Sequence, residues 1–401
     1  MSSPIFLMHG IYGLYNYGCE AILRGTEIIL REKWPNAVIK YASLRPESDM
    51  HVLNRTQVKV VSRRVHSRYS TRNIVRRMFC IAGAHLPIAV EDLRIIDECD
   101  VVLSIGGDLY TLWPSGDFDH KLISFGKAVL KKGKKLVIWG ASIGPFDKNL
   151  YAEKSFSRFL SEVSLITSRE PESTDYMRKL GIENNVTSCA DPAFAVLSDP
   201  NLSISKNTSL RIGMNFSPLS LEYMNNITKS QTIMAEQVKL IERVVNELGA
   251  EVVLIPHVVC DFNKDDDDFG YLQNIMKILP ENISNSVGML QRDLGFLGTK
   301  SEILRCNIVI AARMHCAINA LASIIPTIFV SYSKKSIGMA KYVYGGNDWV
   351  VPIDDMDTDR CFRIVQKMVD NEYAIKQHLQ KRIQDIQLDV REATKALAQI
   401  L

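Results

Sequence analysis

The feature that most limits the fold is an alternation of two patterns: short runs rich in Val and Ile, and amphipathic stretches of helix length between them. Ile5–His9, Val38–Ser43, 58–61, Val101–Ile105, 136–139 and 165–167 are strand candidates, and 20–34, 121–132 and 152–163 read as helices. A strand that is apolar on nearly every residue has no face left for water, so it belongs in a parallel sheet covered on both sides. The alternation resumes with strands at 210–215, 252–256, 307–311 and 327–330 and helices at 231–248, 271–279 and 315–323. Between the two series, 198–209 (SDPNLSISKNTS) is polar and rich in turn formers, which predicts a linker. From Thr358 onward the chain is charged and helical, with neither glycine nor proline. The expected organisation is an N-terminal α/β domain over 1–197, the linker 198–209, a C-terminal α/β domain over 210–357, and a helical segment over 358–401 able to pack back on the first domain. A chain of 401 residues is long enough for two such domains.

Composition works mainly by exclusion. Apolar residues at 46% and charged residues at 23% rule out a disordered chain, a collagen, a coiled-coil rod and a small disulfide scaffold. Basic and acidic side chains nearly cancel, 48 against 45, which argues against a surface given over to nucleic acid. The eight cysteines are scattered and form no CxxC pair, which predicts reduced thiols. There is no signal-peptide pattern and no apolar run of membrane-spanning length, so the expected compartment is the cytoplasm. One region departs from the even balance. Between Asp49 and Glu91 no acidic residue occurs, while Arg55, Lys59, Arg63, Arg64, Arg68, Arg72, Arg76 and Arg77 all fall there. Arg64, Arg68, Arg72 and Arg76 recur every four residues, one stripe on a helix, with Val65, Ile74, Val75, Met78 and Phe79 nearby. The stretch near 63–77 is either a solvated helix face or a peripheral contact with an anionic membrane.

Chemistry-bearing residues gather after the strands, where open α/β sheets bind ligands. The turn from His9 to Glu20 holds glycines at 10, 13 and 18 and leads into a helix whose N-terminus suits an anion. Its spacing is neither GxGxxG nor a P-loop. Asn16 and Glu20 there serve a ligand or cap the helix. Ser104-Ile-Gly-Gly-Asp108 places Gly106 and Gly107 before a carboxylate that fits a ligand hydroxyl or an N-cap equally well. Gly140-Ala-Ser-Ile-Gly-Pro145 offers Ser142 and Gly144. Arg169 follows another strand, its guanidinium fork suited to carboxylate or phosphate, with a salt bridge to Glu170 or Glu172 as the competing reading. Asp191 ends this half in a turn. In the second half, Arg313 and His315 stand at a strand–helix junction, a fixed cation beside a titratable ring, which suits anion binding with proton transfer. Lys334 and Lys335 follow the next strand. The acidic run 265–268 lacks the alternating ligands of an EF-hand and reads as a solvated loop; no metal-ligand spacing occurs.

Taken in order, these motifs resemble the polysaccharide pyruvyl transferase family. The resemblance is carried by NYGCEA at 16–21, VVLSIGG at 101–107, GASIGP at 140–145, SREPES at 168–173, ADPAF at 190–194, RMH at 313–315 and YSKKSIG at 332–338, and extends over about 5–345. It implies two Rossmann-like domains facing across a cleft in a GT-B-like architecture, the first on the acceptor side and the second on the donor side. It implies phosphoenolpyruvate as co-substrate, no cofactor or metal, and a sugar of a lipid-linked oligosaccharide as acceptor at the inner membrane face. The products are a pyruvate ketal and phosphate. On this reading Arg169, Arg313, Lys335 and Lys334 bind the donor, and His315 is the general acid or the phosphate-facing proton donor. Asp108 or Asp191 is the base for the sugar hydroxyl, and Asn16, Glu20, Gly106, Gly107, Ser142, Gly144 and Asp191 line the acceptor side. Two other readings compete: a GT-B glycosyltransferase using a nucleotide sugar, and a non-catalytic sugar- or anion-binding protein in which Arg313 is only a clamp.

Overall fold

Strands β1 (Ile5–His9), β2 (Val38–Ser43), β3 (Lys59–Ser62), β4 (Val101–Ile105), β5 (Lys135–Ala141), β6 (Leu165–Ser168) and β7 (Val186–Ser188) form one sheet in the order 3-2-1-4-5-6-7. Every pairing in it is parallel. This computed structural model describes residues 3–66, 69–81, 93–113, 115–197, 209–224 and 231–401, with the backbone alone at 72, 76, 80 and 334. β4 is buried along its whole length, as its unbroken apolar run requires. Helices His120–Lys131 and Leu150–Glu162 begin where Asp119 and Asn149 accept backbone N–H groups, and they bring Phe125, Phe156 and Phe159 into the core.

A second sheet repeats the plan. β8 (Arg211–Asn215), β9 (Glu251–Leu254), β10 (Val287–Met289), β11 (Ile308–Ala311), β12 (Thr327–Ser331) and β13 (Val350–Pro352) lie in the order 10-9-8-11-12-13, again all parallel. In each sheet the winding reverses once, between β1 and β4 and between β8 and β11. The carboxyl ends of those strand pairs are where a doubly wound sheet receives its ligand. The α/β two-domain expectation of GT-B-like type is met. Three edge strands, β7, β10 and β13, escape the sequence reading because three residues are too few to show a pattern. The terminal helical segment is two helices, Thr358–Asp370 and Glu372–Ile400, the first capped by Asp357. Of the expected linker 198–209, all but Ser209 lies outside the described residues.

The chain divides into two compact units, one of Met1–Gly13, Glu27–Asp191 and Arg391–Leu401, the other of Leu14–Thr26 and Pro192–Val390. The division departs from the simple boundary near 198–209, because a piece of the first 197 residues packs with the second sheet. Hydrogen bonds explain why. The Tyr17 N–H donates to the His257 carbonyl at 3.0 Å, the Val259 N–H to the Tyr15 carbonyl at 3.0 Å, and the Phe296 N–H to the Glu20 carboxylate at 3.3 Å. At the other end of the chain, Arg391 pairs with Glu32 at 2.7 Å within the first unit.

Gly25, inside the helix Tyr17–Lys33, is the tightest point of this packing. A methyl group there would stand 1.8 Å from the Pro192 carbonyl oxygen. Helix propensity alone favours alanine by about 1 kcal/mol, whereas overpacking a rigid site costs about 1–3 kcal/mol. Gly25→Ala is therefore expected to lower the midpoint of denaturant unfolding. Gly288→Ala, where a methyl meets nothing within 4 Å, is expected to leave it nearly unchanged.

Candidate active site

In the first unit the residues after β4, β5, β6 and β7 converge on one guanidinium. Arg169, with 1% of its side chain exposed, donates to Asp191 at 2.6 Å, to Asp108 at 3.0 Å and to the Ser142 hydroxyl at 3.0 Å. Glu170 lies 3.6 Å away and accepts the Ser142 hydroxyl. Burial works against the charge, but Asp191, then Asp108 and Glu170, hold the guanidinium pKa above its ordinary value. Gly107 is required here by proximity: a methyl on it would fall 2.5 Å from the guanidinium. Gly106 lies under Leu109, and Gly144 lies against the Tyr176 ring.

This geometry alters the role expected of Arg169. Three carboxylates against one cation leave the group net negative, so it is not an open clamp for a phosphate. The salt bridge to Glu170 that competed with that role is present, alongside two stronger partners. Asp191 is fully buried, while Asp108 keeps 61% of its side chain exposed. Arg169 thus fixes the position of one solvent-facing carboxylate.

The second unit gathers its groups at the switch point between β8 and β11. Asn215 closes β8; its side-chain Oδ1 accepts the Arg313 main-chain N–H at 2.8 Å and its side-chain Nδ2 donates to the Ile255 carbonyl at 2.9 Å. Arg313, just after β11, sends Nε and Nη2 to Asp268 at 3.0 and 2.9 Å and pairs through Nη2 with Asp266 at 2.7 Å. Asp268 opens the helix Asp268–Lys277, is wholly buried, and also accepts the N–H groups of His257 and Val258 at 3.1 and 3.0 Å. Burial opposes the charge on Arg313, and Asp268 then Asp266 outweigh it, raising the pKa. Exposure falls along the acidic run, from exposed Asp265 to buried Asp267 and Asp268. The expectation of a solvated loop at 265–268 is corrected: the run anchors Arg313, and Asp267 caps the helix through the Gly270 N–H.

His315 is the second residue of the helix Met314–Ala322, and its ring is packed against Gly18. A methyl on Gly18 would lie 2.7 Å from Cβ, Cγ and Nδ1 of that ring. The segment 16–20 therefore belongs to the Arg313–His315 group. Asn16 uses its side chain on the Gly18 N–H at 2.9 Å and opens the helix, while Glu20 is buried, pairs with Arg24 at 2.7 Å and accepts the Phe296 N–H. Lys335 lies in the first turn of the helix Lys334–Tyr344, after β12. The side chain of Lys334 lies outside the described residues.

One residue the sequence reading passed over stands in the middle of this group. His257 follows β9, is 1% exposed, and its Nε2 has no hydrogen-bond partner among the described residues. Its ring meets Tyr17 edge-on, with centroids 5.8 Å apart. Burial, then the charges of His315 and Arg313, push its pKa well below the ordinary value, so the ring is neutral. Asn215, His257 and Asp268 were legible only as polar residues at or beyond strand ends. Among the described residues no group of three His, Cys, Asp or Glu side chains is placed to hold a metal ion.

Comparisons with known proteins agree with the motif order. The family model described as polysaccharide pyruvyl transferase matches residues 16–334. The amylovoran biosynthesis protein AmsJ of Erwinia amylovora is 23% identical over 320 residues, covering 72% of this chain and 70% of that protein. Among solved structures, the UDP-GlcNAc 2-epimerase of Neisseria meningitidis bound to UDP-GlcNAc superposes with a TM-score of 0.60 at 11% identity, over 99% of this chain and 98% of that one. Anabaena Alr3699/HepE in complex with UDP and glucose gives 0.59 at 10% identity, over 99% of each chain. These structural likenesses speak to the fold.

Asp268 is the keystone of the second group, since removing its charge strands the buried Arg313. Breaking a buried pair at one partner costs about 3–5 kcal/mol. Asp268→Asn is expected to lose stability on that scale in urea unfolding, and Asp265→Asn, at the exposed end of the same run, to stay within about 0.5 kcal/mol of the parent protein.

Proposed function

Because the chain belongs to the polysaccharide pyruvyl transferase family, we propose that it moves the three-carbon unit of phosphoenolpyruvate onto two hydroxyls of one acceptor sugar, giving a pyruvate ketal and inorganic phosphate. The acceptor class is a lipid-linked oligosaccharide in exopolysaccharide, capsule or cell-wall glycan synthesis, a reading supported by the likeness to an amylovoran biosynthesis protein. The observation that carries the proposal is the pairing of Arg313 with His315 at the switch point of the second sheet. Nε and Nη2 of Arg313 are committed to carboxylates, and the remaining nitrogen, Nη1, takes no partner among the described residues, so it is the edge offered to an anionic donor. The helix that starts beside His315 adds a positive dipole end.

The chemistry runs in two additions. A proton reaches C3 of the enol, C2 becomes electron-poor, and a sugar hydroxyl bonds to C2 while giving up its own proton. The C2–O bond to phosphate then breaks, a second hydroxyl takes its place, and that hydroxyl's proton leaves with phosphate. His315 is assigned the delivery of a proton to the donor, either at C3 or at the departing phosphate. Asp108, the exposed carboxylate of the first unit, is assigned the acceptor hydroxyl, and Arg169 and Asp191 hold it in position. Lys335 supplies further positive charge for the donor.

Membrane contact is the second part of the proposal. The helix Thr71–Ile81 shows Ile74, Val75, Met78, Phe79 and Ile81 to solvent, with Asn73 buried. It is apolar on the outside. Arg64 is exposed and Arg77 half-buried; Arg68 and the side chains of Arg72 and Arg76 lie outside the described residues. Apolar insertion with basic residues alongside fits an anionic bilayer, at about 1 kcal/mol per basic residue near the surface. Among the described residues no helix is long and apolar enough to cross a membrane.

Two measurements test these assignments. With phosphoenolpyruvate and a sugar acceptor present, His315→Ala is expected to cut phosphate release by about 10²-fold or more while unfolding at the same temperature. Near-normal turnover would sink the role of His315, and stabilisation by nucleotide sugars instead of phosphoenolpyruvate would favour glycosyl transfer. In co-sedimentation, the protein is expected to bind phosphatidylglycerol vesicles, and the double change Met78→Glu with Phe79→Glu to abolish it. Equal sedimentation of the two would remove the membrane contact.

A further inference from the structure

His257 is a buried imidazole with a polar atom left over. Its main chain is fully used: the N–H goes to Asp268 at 3.1 Å, and the carbonyl accepts the Tyr17 N–H at 3.0 Å. These bonds hold the main chain that carries the ring in place. Nε2 nevertheless takes no hydrogen bond among the described residues, although the ring is 1% exposed. Most buried polar atoms in proteins are paired, and an apolar side chain of the same size would avoid the desolvation cost altogether. The ring stands near enough to His315 and Arg313 for their charges to act on it, and the first turn of the helix Tyr17–Lys33 packs beside it.

We infer that His257 is a ligand-contacting residue of the Arg313–His315 site, donating a hydrogen bond from Nε2 to an anionic oxygen of the bound donor. The inference rests on the reading of that site as the seat of a phosphate- and carboxylate-bearing substrate. A neutral imidazole suits the task, because it supplies a directed donor without adding a further cation beside Arg313. The strain of an unpaired buried nitrogen in the unliganded protein is relieved when the donor arrives, so binding gains what folding forgoes.

The test uses the full-length protein and isothermal titration calorimetry with phosphoenolpyruvate and, separately, with inorganic phosphate. His257→Leu removes the donor and the unpaired atom together; His257→Gln keeps an N–H near the position of Nε2. The Leu variant is expected to unfold at the same or a higher temperature and to bind phosphoenolpyruvate at least about tenfold more weakly, the worth of one hydrogen bond to a charged group. The Gln variant is expected to recover most of that loss. Unchanged binding by a folded Leu variant overturns the inference. Should the Leu variant fail to fold, Gln binding no better than one-tenth of the parent protein overturns it as well. A parent protein that binds phosphate but not phosphoenolpyruvate sinks the substrate reading alone, and the phosphate titrations of the variants then decide the role of His257. A parent protein that binds neither overturns both.

Discussion

One buried carboxylate organises the second unit. Asp268 receives the guanidinium of Arg313, the amide of Asn215 and the backbone N–H groups of His257 and Val258, so three segments from three places in the chain meet on two oxygens. An ionised carboxylate is tolerated in such a place only when its lone pairs are filled and a cation balances it. Both conditions are met, and the arrangement fixes Arg313 at the end of β11 and His257 at the end of β9. The guanidinium of Arg313 and the main chain that carries the His257 ring are held by that anchoring.

The first unit uses the same device with the balance shifted. Arg169 is also buried and also bracketed by acids, but three of them surround it, and one of the three faces solvent. Two guanidiniums that each follow a strand, Arg169 after β6 and Arg313 after β11, are thus given different duties. Arg313 keeps Nη1 without a partner among the described residues; Arg169 is consumed in aligning carboxylates.

Much of the architecture was legible from residue order. Strands such as Val101–Ile105 declare themselves by having no polar face, and the sheet they form in turn locates the ligand ends. The positions of Arg313 and His315 could be read for that reason. What pairs with them could not. Asp268 precedes Arg313 by 45 residues and reaches it only because β8, β9 and β11 are neighbours in the sheet. Four consecutive acids look like a solvated loop, and burial that deepens one residue at a time leaves no periodic trace. Arg169 misled in the opposite sense, since a guanidinium at a strand end looks available until its three acidic partners are seen. The three-residue strands at the sheet edges were too short to register at all.

The segment Leu14–Thr26 carries one more implication. It is encoded beside β1 yet supplies Gly18 to the ring of His315 and Tyr17 to the backbone of His257. Genetic exchange at the junction near 192 would hand a descendant the second sheet without the strip that packs on His315 and His257. The two units of this chain can therefore be inherited together, or their boundary must be cut twice. That is a constraint on how such proteins diversify, set by thirteen residues at the wrong end of the gene.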